Sequence, residues 1–542
     1  MSWGVDRERS SFSPDGGGRS WHTRRFGATL SITERAKTPE PGRVSRSTRG
    51  PNWWVVAAAA VPSALYLLYV YHYAVNIPFI DDWQVMPVVA AAIHGHIAFG
   101  SLWQQWTDSR AVVYRLVCIV FALVDRLDER AVILFSAAIF VGTYFLVLLL
   151  YRSYRARPLA PPAVLVIGVV WFSLVDWEQV LWSSTESNYL VVFFLMLAVY
   201  LLLVPDNYRQ LCFGLSVASG VLASLSFVEG FLVWPVGLTC LLWSSARKRT
   251  ELDVWVATGI ATAAYYFHGY NFVNYGCAST QDGCSIAYSL SHRGELAQYF
   301  VLLVGNVIPQ SGTGLESHLW AHQVQGAVLL GVAVLVVVQT LRERRAQPNP
   351  LPLLLIVFGL LYDAVIADGR FGSGLPNAVA PGAGRYSMPN VIVLVAIVMF
   401  AFAHVRRPHF APRLVLAGFG ALMALVAFQC IVGTAEGITD GRGFHQNLET
   451  SARIVVNLDE VPLAEKACYV ARAETANWFP LVAPWYWVAE RDHLTVFSST
   501  NALRRYRSEG PPVLPECAPK PVAAAVGLAS PSGTKRPTLA AS

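Results

Sequence analysis

Charge is scarce in this 542-residue chain: Asp, Glu, Lys and Arg together make up 14% of it. Ordinary soluble domains carry about 25%, so a wholly soluble architecture is excluded. The mean hydropathy of +0.43 and the 54% share of hydrophobic residues instead describe an all-α polytopic membrane protein. Cysteine is also sparse, with eight residues and no metal-ligand spacing among them. No spaced set of oxygen ligands for a divalent cation is legible, and no cofactor is assigned. An internal repeat is missing, which weighs against transporters built from repeated halves. The N-terminal stretch has no short apolar core with a small-residue cleavage site, so the first apolar run is read as a retained span rather than a signal peptide.

What is present begins with a polar tail, residues 1–52. Its first fifty residues hold ten Lys or Arg and five Asp or Glu and no apolar stretch, the composition of a disordered basic segment. By the positive-inside rule this tail is cytoplasmic, and anionic lipid suffices as its partner. The basic loops "YRSYRARP" (151–158), "SSARKRTE" (244–251), "LRERRAQP" (341–348) and "HVRRPHFAPR" (404–413) then all fall inside if the chain crosses eleven times. The expected spans are 54–74, 131–150, 161–175, 189–204, 211–228, 230–244, 254–270, 323–341, 351–367, 387–404 and 413–432. Each supplies on the order of 20 residues for a hydrocarbon core of about 30 Å. Residues 53–432 form one membrane domain of a plasma-membrane protein, with the N-terminus cytoplasmic and the C-terminus outside.

This count requires that two apolar stretches, 111–127 and 296–309, do not cross. Segments 85–97 and 111–127 read as membrane-hugging helices of the first outer loop, the latter because it carries Arg115, Asp125 and Arg126 beside Arg110. Residues 296–309 read as re-entrant or interfacial. Cysteine placement agrees, since disulfides persist outside the cytoplasm: Cys277 and Cys284 fall in one outer loop, Cys468 and Cys517 in the outer C-terminal region. Cys118, Cys212, Cys240 and Cys430 sit in apolar helices, where a free thiol behaves as a small hydrophobe.

The outer rim then collects the polar residues. Asp81, Asp82 and Trp83 follow the first span; "WQQWTDSR" brings Asp108 and Arg110; "DWEQVLWSSTESN" brings Asp176, Glu178 and Glu186. Glu229 interrupts an apolar hairpin, and the Gly- and Pro-rich segment 368–390 brings Arg370, Arg385 and Tyr386. An ionisable residue at membrane depth is costly unless it faces a cavity or a partner. Carboxylates, aromatics and arginines on one rim suit sugar transfer from a lipid-linked phosphate donor to an acceptor. A carboxylate takes the acceptor hydroxyl proton, Arg neutralises the leaving phosphate, and Trp stacks on sugar rings. Asp81 and Asp82 repel each other, so one pKa should be raised; Asp82 is placed first as the base, Asp81 second.

At these residues the chain resembles the C-type membrane glycosyltransferase superfamily, and more closely a branch of poorly characterised bacterial multi-pass proteins. The resemblance lies in the order "IPFIDDW", "SLWQQWTDSR", "FSLVDWEQVLW", "SLSFVEGFLVWPVGL", "YYFHGY" and "GRYSMPN" over residues 54 to 460. It implies an acidic pair in the first outer loop with one carboxylate as general base, a polyprenyl-phosphate sugar donor, and two membrane-parallel helices in that loop. Where the closer branch carries an Asn-Glu-His-Arg-like stretch, this chain has Thr107, Asp108, Ser109 and Arg110. An imidazole's role in acceptor activation therefore does not transfer.

Residues 433–517 read as an outer appendage, stapled by Cys468 and Cys517. Its Trp478, Trp485, Tyr486 and Trp487 suit either a sugar-stacking patch or an interfacial aromatic belt. Residues 518–542 read as a disordered tail. The expected partners are a polyprenyl-phosphate sugar, a glycan or lipid acceptor and membrane lipids, with no nucleic acid. The alternative function is a multi-pass transporter or flippase for a lipid-linked saccharide.

Overall fold

The computed structural model describes residues 52–106, 109–155, 158–203, 208–243, 249–271, 286–307, 319–344, 349–379, 386–404, 412–462, 465–466, 468–469 and 485–517. Among them no β-strand occurs, and helices account for the regular structure. The first half runs through α1 (Trp53–Tyr73), α2 (Met86–Ile93), α3 (Val112–Asp125), α4 (Glu129–Arg155), α5 (Pro161–Trp171), α6 (Glu186–Leu203), α7 (Arg209–Ser226), α8 (Val233–Trp243) and α9 (Arg249–Phe267). It continues with α10 (Arg293–Gly305), α11 (Leu319–Arg342), α12 (Leu351–Arg370), α13 (Met388–His404) and α14 (Pro412–Val456), then the short α15 (Tyr486–Arg491) and α16 (Thr500–Glu509).

Among the described residues seven helical stretches are long and apolar enough to cross a bilayer: α1, α4, Pro161–Val180, Ser183–Leu203, α11, α12 and Ala417–Val456. Val228–Trp243, which contains α8, and α13 are apolar but shorter. The chain is thus an all-helical, membrane-embedded protein. Helix α1 shows why: Tyr66, Tyr69, Val70 and Tyr73 are buried, yet Leu65, Leu68 and Tyr71 on its other side are exposed. A helix apolar on every side suits a bundle in lipid, not one in water. Helix α13 is buried from Met388 to Met399 and forms the centre of the packing.

The two helices expected in the loop between α1 and α4 are present as α2 and α3, with a further short helix, Phe99–Trp103, between them. Helix α3 sends Tyr114, Cys118 and Ala122 into the core and leaves Val120, Leu123 and Val124 exposed. At its end Arg126 and Leu127 adopt left-handed backbone, closing the helix through Leu127 N–H to Phe121 O, 3.1 Å.

The last span is expected to end near residue 432, and the helix that carries it, α14, runs on past that point, unbroken for 45 residues to Val456. That is about 67 Å at 1.5 Å per residue, roughly twice the bilayer core. No proline lies between Pro412 and Pro462 to stop it, and close packing holds its second half. A Cβ at Gly441 would sit 2.1 Å from the Tyr69 hydroxyl, and one at Gly437 2.4 Å from Leu174 Cβ. With hydrogen there instead, Tyr69 donates to Gly437 O at 2.6 Å, and Phe444 meets Phe79 and Trp177 at centroid distances of 4.9 and 5.6 Å.

The C-terminal residues fold back on the first loop. Cys468 and Cys517 are disulfide-bonded; Cys277 and Cys284 lie outside the described residues. Thr495 N–H donates to Arg126 O at 2.9 Å, and Asp492 meets His94 at 3.2 Å. Of the expected aromatic patch, Tyr486 is buried, Trp485 half-buried and Trp487 exposed, with the Tyr486 and Trp487 ring centroids 4.6 Å apart, and Trp478 is outside the described residues.

Candidate functional site

The turn Phe79–Val85 follows α1 and is built around one side chain. Asp82 is buried. Its Oδ2 accepts the Phe79 N–H at 2.9 Å; its Oδ1 accepts the Ser184 N–H at 2.9 Å, the Trp182 Nε1–H at 3.1 Å and the Tyr114 hydroxyl at 3.5 Å. Trp182 also donates to Phe79 O at 3.2 Å. Asp82 therefore joins the turn, α3 and the segment before α6. Burial pushes its carboxyl up to about 7, against the opposing pull of the Phe79, Ser183 and Ser184 donors.

Directly before the pair, Ile80 has φ +43°. A β-branched residue in the left-handed region is a backbone outlier worth on the order of 1–3 kcal/mol, of a kind that gathers at functional sites. The grip on Asp82 holds it there. Asp81, by contrast, is half-buried, and its Oδ1 accepts from Gln84 Nε2 at 3.0 Å.

A second carboxylate stands behind the turn. Glu129 opens α4, is buried, and has the Ser183 side chain as its hydrogen-bonding neighbour. It interacts electrostatically with Asp82, and Ser183 lies beside both. The Ser183 hydroxyl is also 3.4 Å from the Tyr114 hydroxyl. Asn76 fixes this corner: its Oδ1 accepts the Glu129 N–H at 2.9 Å, and its Nδ2 donates to Thr495 O at 2.9 Å. Glu129, Tyr114, Trp182 and Ser183 were not among the sequence candidates. For Glu129 a signal existed, a lone acid at the mouth of a long apolar run; for the others none did, because they enter only through packing.

The segment between α5 and α6 forms the facing wall. Glu178 is buried, as is Asp176. Thr185 Oγ1 donates to the carbonyls of Gln179 and Trp182, and Asn188 Oδ1 accepts the Tyr362 hydroxyl at 3.0 Å, tying α6 to α12. Glu229 is buried in the turn Val228–Leu232, which packs against α12. Arg370 ends α12 and Tyr386 precedes α13, both half-buried. Arg385 and Asp108 lie outside the described residues, as does the side chain of Glu186, the first residue of α6.

Two further expected site residues have structural partners. Trp83 is buried in the core beside Asp82. Arg110 is a clamp: its backbone N–H donates to the Tyr266 hydroxyl at 2.6 Å, its guanidinium to His268 O at 2.9 Å and Trp103 O at 3.3 Å, and it stacks 5.2 Å over Trp103. Arg115 does likewise, donating to Leu102 O at 2.8 Å and Gln104 O at 2.5 Å, and burial lowers its pKa to about 10. These arginines satisfy carbonyls at the ends of the helix Phe99–Trp103 and of α9, a sound use of a cation at low dielectric. Sequence position alone made Arg110 look like a rim charge.

A further buried acid, Asp363, lies within α12 with both carboxylate oxygens unpaired among the described residues. As the single charge in the apolar run "LLIVFGLLYDAVIA" it was legible. Among the described residues, no group of three His, Cys, Asp or Glu side chains is placed to hold a metal ion. No family model, curated protein or solved structure matches the chain. Its chemistry therefore rests on the geometry of the site.

Proposed function

We propose that the chain is a membrane glycosyltransferase of C-type architecture with eleven crossings, which moves a sugar from a polyprenyl-phosphate donor to a glycan or lipid acceptor at the outer face of the plasma membrane. The observation that carries this reading is the Asp81–Asp82 turn after α1. One carboxylate of the pair is consumed in holding a strained backbone, and its neighbour is left half-buried at the surface of that turn. This division of labour reverses the order expected from sequence. Asp81 becomes the general base and Asp82 the positioning residue. The acceptor oxygen attacks the anomeric carbon as its proton passes to Asp81, and the carbon–oxygen bond to phosphate breaks. The electron pair leaves on the polyprenyl phosphate, which Arg370 or Arg385 receives.

The test measures sugar transfer from a polyprenyl-phosphate donor in reconstituted membranes, with thermal unfolding recorded for each variant. Asp81→Asn should lower turnover by about 10²–10⁴ with unfolding unchanged. Asp82→Asn should lower both, because its amide would present N–H to the Phe79 N–H. Wild-type turnover in Asp81→Asn would end the proposed mechanism. The second reading, a flippase or transporter for a lipid-linked saccharide, is favoured by Asp363, an acid buried in a span. Passage of a labelled lipid-linked sugar across the bilayer, abolished by Asp363→Asn but not by Asp81→Asn, would establish it instead.

A further inference from the structure

A cavity of about 740 Å³ opens beside the turn, away from the Asp82 network. Its walls come from four places: the end of α1 with Val75 and Asn76, the start of α4 at Asp128 and Arg130, the far half of α14, and α16. On α14 the contributing positions include His445, Glu449 and Arg453, a four-residue spacing that sets one helix face toward the opening; Ala502, Arg505 and Glu509 do the same on α16. The unbroken run of α14 past the expected end of its span creates this wall.

The chemistry of the lining selects among ligands. Three arginines, Arg130, Arg453 and Arg505, stand against three acids, Asp128, Glu449 and Glu509, so the fixed charge cancels. Two of the arginines pair directly with acids, Arg505 with Glu449 at 2.6 Å and Glu509 at 3.2 Å and Arg453 with Glu509 at 3.3 Å, while Arg130 donates to Tyr71 O at 3.3 Å and lies 5.6 Å over the Tyr71 ring. Cations so engaged are poorly placed to take a phosphate. The polar lining is equally unsuited to an acyl chain. What remains is a dense alternation of donors and acceptors, to which Gln446, Thr450 and Ser499 add amide and hydroxyl groups. Such a surface complements vicinal hydroxyls, each at once donor and acceptor. The volume falls within the roughly 300–1,000 Å³ typical of small-ligand sites.

We propose that this cavity is a binding site for a neutral saccharide. Its assignment as the acceptor side of the transfer rests on the function proposed above; the binding itself does not. Asn76 connects the two places, since it lines the cavity while holding the Glu129 backbone behind Asp82. A saccharide seated against Asn76 and Asp128 would present a hydroxyl toward the turn.

Saturation-transfer NMR on the full-length protein in nanodiscs tests this, with neutral trisaccharides of glucose, mannose, galactose and arabinose as probes. At least one should bind. Ala502→Trp, which fills the cavity from α16, should abolish that binding, and Gln446→Ala combined with Thr450→Val should weaken it at least tenfold. Those last two positions join no ion pair, so they decide the matter if Ala502→Trp does not fold. Asp81→Asn should leave binding unchanged while stopping transfer. Binding of none of the four sugars, binding indifferent to the cavity variants, or saturation by inorganic phosphate alone would overturn the proposal. Saccharide binding without transfer would overturn the function and leave the site standing.

Discussion

At the scale of single residues, the two carboxylates of the acidic pair are identical in chemistry and adjacent in sequence, and they differ only in surroundings. Asp82 is drawn inward by backbone and indole N–H groups, whereas Asp81 stays at the surface of the turn. This difference has a pH signature. Burial raises the folded-state pKa of Asp82 to about 7, above its value of about 3.9 in an unfolded chain. Between those values the folded state binds more protons than the unfolded one, so stability should fall as pH rises through the window. Melting temperature measured from pH 4 to pH 8 should decline, and Asp82→Asn should flatten that decline while lowering stability throughout. An unchanged slope in the variant would show that another group titrates. The existence of the acidic pair was legible in "IPFIDDW". Which carboxylate turns inward was not, because the groups that hold Asp82 come from residues 114 and 182–184, far along the chain.

At the scale of elements, α14 depends on two hydrogens. Replacing Gly441 by Leu forces a side chain into the Tyr69 hydroxyl and should cost about 1–3 kcal/mol as an overpacked contact. The readouts are a lower melting temperature and faster proteolysis after residue 456; wild-type proteolysis would mean that α14 does not dock as described. A second junction, between α15 and the end of α2, uses Asp492, which Arg491 and His94 hold below the usual carboxylate range. A depressed pKa contributes stability above the unfolded value that is lost as pH falls through the folded one. The junction should therefore loosen only below about pH 4, and Asp492→Asn should loosen it at neutral pH, seen as faster cleavage near residues 486–493. The helices themselves were legible, because long apolar runs without proline have little alternative in lipid. The end of α14 was not: polarity falls off at the membrane surface, yet backbone hydrogen bonding continues wherever packing supports it.

At the scale of the molecule, each of the eleven stretches expected to cross overlaps a helix, and among the described residues seven helical stretches have the length and apolarity to do so. Under the proposed topology the basic loops put the site outside, and cysteine-accessibility labelling tests that placement. Cysteines placed at Gln84 and Asp368 should react from outside, and one at Arg342 only after the membrane is opened. Labelling of position 342 from the same side as 84 would overturn the eleven-crossing topology and the outer placement of both sites.

Composition and the spacing of apolar runs by themselves determined that this is an all-helical protein of the membrane, with its acids gathered after the first span. Lipid leaves the backbone few choices, and local sequence is enough to make them. The tertiary structure alone decided that Arg110 clamps carbonyls, that Trp83 is core, that Glu129 stands behind Asp82, and that α14 and α16 enclose a polar cavity. Each of those outcomes depends on which distant segment supplies the partner for a buried polar group. Burial makes an unpaired group costly, so the fold that satisfies it is set by the whole molecule rather than by its neighbours in sequence.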